Sequence, residues 1–284
     1  MYITVFLVKI EILFEELCGS CEDTERKSPP SRGRTPTGIE TVHHPLAVAV
    51  LIGCVSLLYA TAGQAGGTAF LAVMVFANFP ASEMRPTALL LNIVAAGYAT
   101  WRLNRNGGVE RTLLLLLTLP SIATAFVGGL MTLGGRAYFV LTGLLLIIAA
   151  ILMVLKRTAD TLAAQPIRAT SAMALGAGAG FISGLTGVGG GVFMTPVLIA
   201  AGWASPRRAA ALSPPFILCN SVVGLAGVLL AGQRVASGVS FYAVGAVTGA
   251  MLGTAIGLRW MSERTTRYVL ALILLFAGVR LLSR

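Results

Sequence analysis

The residues best placed to do chemistry are two runs of glycine set into apolar sequence. The first reads Thr61-Ala62-Gly63-Gln64-Ala65-Gly66-Gly67, the second Gly184-Leu185-Thr186-Gly187-Val188-Gly189-Gly190-Gly191. Each leads into an apolar segment of about 13 residues, short of the roughly 20 needed to cross a bilayer core. A membrane helix can be interrupted only where protein or a lined cavity satisfies the freed backbone groups. A helix restarting after Gly67 or Gly191 presents free N–H groups and the positive end of its dipole. Glycine lets an anion come close to those groups. Gly63, Gly66, Gly67, Thr186, Gly187, Gly189, Gly190 and Gly191 are therefore candidate contacts for a small anion. Gly176, Gly178, Gly180 and Gly184 have the spacing of small-residue helix packing instead.

Asn92 and Asn220 add to this set. Aligning the glycine runs, with a gap of about four residues, sets Pro86–Asn92 against Pro214–Asn220. A buried amide donates to an oxyanion or ties helices together, and both readings stand. Ser183, Thr195, Ser213 and Gln64 offer further donors. Arg85 reads as a headgroup anchor at the mouth of a span, with attraction of anions as the alternative. Arg207 and Arg208 read as cytoplasmic charges able to steer anions inward.

What is missing narrows the chemistry. From residue 45 onward the acids are Glu83, Glu110, Asp160 and Glu263, all in expected loops. No carboxylate or histidine is expected inside the membrane for proton coupling or for neutralising a metal cation. The serines have no base, which disfavours an enzyme. No cofactor or metal is expected. The sequence G-x-x-x-x-G-K-[ST] does not occur, so this chain does not itself hydrolyse ATP through a P-loop.

The elements that hold these residues follow from hydropathy. The chain has 284 residues, 56% hydrophobic and 11% charged, with mean hydropathy +0.84. Soluble domains carry about a quarter charged residues, so the solvent for this surface is lipid. Apolar segments fall at 46–60, 67–79, 86–103, 111–131, 137–155, 170–186, 190–202, 208–230, 238–258 and 266–282. The order of landmarks divides them into two similar halves, 45–158 and 168–284. The basic loops at 102–111, 156–168, 203–208 and 259–267 belong in the cytoplasm by the positive-inside rule. Each glycine-broken pair then enters and returns on one side, about three full spans follow, and the halves are inverted with both ends outside. The expected fold is an all-α polytopic membrane protein of two inverted repeats, each with a re-entrant or split helix.

Residues 1–44 stand apart. They hold seven of the eleven acidic residues and the polar stretch Ser28–Pro36, and read as a disordered extension or a misassigned start. Cys18 and Cys21 form a lone CxxC; a zinc site needs four ligands, for which His43 and His44 are the nearby candidates, and the metal or redox reading is disfavoured. Cys54 and Cys219 read as packing residues. The net charge of +10 is scattered between apolar runs rather than gathered on one face, which argues against nucleic acid.

The segment Gly180-Phe181-Ile182-Ser183-Gly184-Leu185-Thr186-Gly187-Val188-Gly189-Gly190-Gly191-Val192-Phe193-Met194-Thr195-Pro196-Val197-Leu198 resembles the signature of the sulfite exporter TauE/SafE family. The first half carries a degraded copy, with Gln64-Ala65 in place of glycine. The resemblance covers about residues 45–284. It implies a permease for sulfite, thiosulfate, an organosulfonate or a related anion in a bacterial inner membrane. The expected function is thus secondary transport, as an exporter, of a small sulfur-containing anion. An anion channel and, more remotely, a membrane-embedded enzyme are the alternatives.

Overall fold

The computed structural model describes residues 45–61, 66–105, 110–155, 167–257 and 263–283. The expectations for residues 1–44, for Gly63 and for Gln64 lie outside these. Ten α-helices make up the described residues: α1 Pro45–Thr61, α2 Gly67–Phe76, α3 Ala81–Arg105, α4 Arg111–Leu130, α5 Gly135–Leu155, α6 Ala169–Thr186, α7 Gly191–Ala200, α8 Pro206–Leu230, α9 Val239–Gly257 and α10 Glu263–Leu282. The expected segments are recovered within a few residues. Helices α2 and α7, ten residues each, are shorter still than the sequence suggests.

Leu-, Ile- and Val-rich stretches form these helices because only a helix satisfies its own backbone in an apolar solvent. Arg111–Leu130, Gly135–Leu152 and Arg208–Leu230 are long and apolar enough to cross a membrane. They present Leu115, Leu119, Leu144, Ile148 and Val222 on the outer surface, an apolar face that suits lipid. Helix α8 begins with a preset start: Ser205 caps it, its side chain accepting from the Arg208 N–H at 3.4 Å, and proline follows at the first turn.

The helices pack in corresponding pairs. Helix α4 lies on α6 and α9 lies on α1; α3 crosses α8, and α5 crosses α10; α2 touches α10, and α7 touches α5. Numbering each half from its start, every such pair has its counterpart with the halves exchanged.

Glycine sets two of the contacts. A Cβ on Gly176, Gly180 or Gly184 would strike the carbonyls of Leu117, Ser121 and Ala125 on α4. On the other side Gly245, Gly249 and Gly253 rest on the carbonyls of Ala49, Gly53 and Leu57 on α1. In both ladders residue numbers rise together, so the paired helices run parallel. Helices α3 and α8 run antiparallel, since Gly97 approaches Leu218 while Leu89 approaches Gly224. Gly178 has nothing within 4 Å of its Cβ position; of the four glycines expected to pack, three do.

Replacing Gly180 by Val drives a branched side chain into the Ser121 backbone. It should destabilise the protein by about 1–3 kcal/mol or more, read as a lower midpoint of thermal unfolding in detergent. Gly178→Ala should shift that midpoint little. Equal effects of the two would refute the ladder as the reason for glycine.

Candidate anion-binding site

Both glycine runs are helix breaks. At the second, Gly187, Gly189 and Gly190 have φ of +83°, +88° and +74°. An L-residue in this left-handed region costs about 1–2 kcal/mol, so three such positions within four residues explain the run of glycine. At the first, Gly66 has φ +89° and precedes α2. Residues 183–196 are all buried, so the second break is sealed from solvent in this conformation.

Breaking α6 at Thr186 frees carbonyls that the next turn would have used. Side chains from other helices take them up. Arg85 Nε donates to the Gly184 carbonyl at 2.8 Å. Tyr138 Oη donates to Thr186 O at 3.0 Å. Asn92 Nδ2 donates to Gly187 O at 3.2 Å. The Gly187 N–H closes on Ser183 O at 2.8 Å, and the Val188 N–H turns to Thr186 Oγ1 at 3.4 Å. The acceptor end of the break is thus largely satisfied.

The donor end is not. At the start of α7 the Gly191 N–H reaches Gly189 O, and the Phe193 and Met194 N–H groups reach Gly190 O. The N–H groups of Gly189, Gly190 and Val192 make no hydrogen bond among the described residues. Two serines stand beside them. Ser213 Oγ lies 2.5 Å from where a Cβ on Gly191 would be, and Ser183 Cβ lies 3.3 Å from the corresponding point on Gly190. Both hydroxyls are buried and have no partner. A helix N-terminus with spare N–H groups and two free hydroxyls is a cradle for an oxyanion.

Asn92 joins the two breaks. Its amide lies within about 3 Å of the Cβ positions of Gly67 and Gly189, and Gly67 also closes on the Val188 carbonyl. Asn92 thus brings Gly67, Gly187 and Gly189 together, with Gly66, Thr186, Gly190 and Gly191 next to them in the chain. Asn220 is buried as well, but its Nδ2 donates within its own helix, to Phe216 O at 3.0 Å, and its Oδ1 has no partner. Thr195 Oγ1 is likewise buried and unpartnered.

Arg85 corrects the sequence reading. Expected at the headgroups, it is 1% exposed. Besides Gly184 it donates through Nη2 to Gly128 O at 2.5 Å and Gly129 O at 2.7 Å, and through Nη1 to Met131 O at 2.7 Å. It caps the C-terminal end of α4 and the end of α6 together. Its place just before Pro86 gave no signal of this, because the carbonyls it serves are 43 and more residues away.

A family model for the sulfite exporter TauE/SafE matches residues 46–281. The chain belongs to the TauE/SafE sulfite exporter family. A probable membrane transporter protein of Sinorhizobium fredii is 29% identical over 243 residues, covering 84% of this chain and 98% of the relative. No solved structure matches the chain. TauE/SafE membership makes this chain a membrane-integral transporter and not an enzyme. The glycine breaks, the ladders and Arg85 all fall inside the TauE/SafE match.

Tyr138→Phe should leave the Thr186 carbonyl without its donor inside a low-dielectric site. The expected loss is about 1–3 kcal/mol of stability, with faster amide exchange confined to residues around the second break. Unchanged exchange there would show that the cap is dispensable.

Proposed function

We propose that this transporter carries a small sulfur-containing oxyanion, such as sulfite, thiosulfate or an organosulfonate, outward across a bacterial cytoplasmic membrane as a secondary carrier. The observation that carries the reading is the imbalance at the second break. Its carbonyls are capped from within the protein, while its N–H groups and the hydroxyls of Ser183 and Ser213 are left for an acceptor ligand. A cation would need the opposite arrangement.

Helix directions support a domain reading of two inverted halves, 45–158 and 168–284. The parallel ladders of α1 with α9 and α4 with α6, and the antiparallel crossing of α3 with α8, are the contacts expected of halves inserted in opposite senses. In that reading α1–α2 and α6–α7 are re-entrant pairs, and the remaining helices cross the membrane. The start of α4 and the start of α8 lie together, since Arg208 and Glu110 approach to 4.0 Å. With Arg102, Arg105 and Arg111 nearby in sequence, this end belongs in the cytoplasm.

A cavity of about 400 Å³ opens at that end, lined by Thr100, Trp101, Asn104, Arg111, Pro215 and Leu218 among others. Leu218 borders the cavity while its neighbour Ile217 covers Gly189 and Gly191. Movement of α8 would therefore join the cavity to the cradle. A sealed site that opens by helix movement suits a carrier better than a channel.

The test is flux of labelled sulfite, thiosulfate and methanesulfonate in proteoliposomes. Saturable flux is expected for at least one of them. It should fall by roughly 10-fold or more in Gly190→Ala, which combines a left-handed φ with a Cβ 2.8 Å from the Ala179 carbonyl, and in Ser213→Ala. Flux that rises linearly with concentration would favour the channel. Saturable flux that both variants preserve would move the site elsewhere.

A further inference from the structure

We propose that Arg85 is the counter-charge of the carried anion, and that the cargo is accordingly a monoanion. This rests on the reading of the second break as an anion site and adds to it the charge of the substrate and a residue that sets it.

Arg85 is the one charged side chain among the buried described residues. Its four partners are neutral carbonyls, those of Gly128, Gly129, Met131 and Gly184. No carboxylate pairs with it: among the described residues the ion pair formed is that of Arg208 with Glu110. Glu83 stands two residues away on the same helix, a spacing that places side chains on different faces. The carbonyls at the end of α4 bring the negative end of a dipole, equivalent to about half a charge, so a net positive charge stays in the protein interior.

That charge sits at the break. Arg85 Nε donates to the Gly184 carbonyl at 2.8 Å, and the Arg85 stem passes Gly187, where a Cβ would lie 3.4 Å from Cγ. The guanidinium holds the closing end of α6 at Gly184, and α7 opens at Gly191, five residues after α6 ends. The cradle itself consists of N–H groups and the hydroxyls of Ser183 and Ser213, none of them charged.

The carbonyl bonds let this charge stay buried without cancelling it, and a net buried charge favours an opposite charge nearby. A bound monoanion, such as a sulfonate or hydrogensulfite, leaves Arg85 and ligand neutral together. A dianion, such as sulfate or thiosulfate, leaves one uncompensated negative charge in the same low dielectric. Arg85 acts on the ligand through this field and through its hold on α6, as a positioning residue and not by direct contact.

The experiment is ligand-induced thermal stabilisation of the purified full chain in detergent, at fixed pH and ionic strength. The probes are methanesulfonate, always a monoanion, and sulfate, always a dianion at neutral pH. Methanesulfonate should half-saturate at a concentration roughly tenfold or more below that of sulfate. Arg85→Lys, which keeps the charge, should keep that preference, and Arg85→Gln should bring the ratio towards one. A merely structural role would lower the midpoint without altering the ratio.

Sulfate binding as tightly as methanesulfonate would overturn the monoanion inference while leaving the anion site standing. Binding of neither anion would overturn the anion site itself. Should Arg85→Gln fail to fold, the wild-type ratio and the Lys variant still decide: loss of the preference in Arg85→Lys, which keeps the charge, would overturn the counter-charge inference.

Discussion

A helix that stops inside a protein interior must find partners for its last carbonyls, and the rest of this architecture is arranged around that need. Helix α6 ends at Thr186, and its freed carbonyls are served by Arg85 and Asn92 from α3 and by Tyr138 from α5. All three donors come from the first half of the chain. The second half therefore cannot form its break alone. The glycine ladders make the same point by packing, since α6 closes on α4 and α9 on α1. Dependence of each half on the other keeps the two breaks in contact at Gly67, Asn92 and Val188.

The use of an arginine for this purpose needs an energetic account. Placing arginine at the centre of a membrane helix costs about 2.5–3.5 kcal/mol on insertion scales. Hydrogen bonds to a charged group are worth about 1.5–3 kcal/mol each, and Arg85 makes four. The end of the α4 dipole adds a favourable interaction of up to about 2 kcal/mol. The bonds outweigh the desolvation, so the side chain stays folded inward. The guanidinium fork also suits three separate directions at once, towards the Gly128–Met131 turn and towards Gly184, which a lysine point charge serves less well.

Local composition made much of this legible. Hydropathy located every described helix to within a few residues, because apolar length is set directly by bilayer thickness. The glycine runs located the breaks, because left-handed backbone at Gly187, Gly189 and Gly190 admits little else. Asn92 was legible from its position relative to Asn220. The pairing of their roles was not: Asn92 reaches across to Gly187, while Asn220 bonds within α8 to Phe216. Arg85 and Tyr138 escaped for a common reason. Their partners are remote in sequence, and the feature they answer, a carbonyl left over at a helix end, has no residue type to mark it.

The two breaks have diverged in the side chains that surround them. In register, Tyr59 and Arg85 of the first half stand where the second has Ser183 and Ser213. Tyr59 shares a hydrogen bond of 2.7 Å with Thr68 Oγ1 at the start of α2, and the Phe70 ring sits against Gly66. On the described flanks of the first break these side chains thus pair with each other, while Arg85 serves α4 and α6. At the second break the smaller serines leave their hydroxyls and the α7 N–H groups unclaimed. The duplicated frame thus pairs the polar groups of one half with each other and leaves those of the other half unpaired.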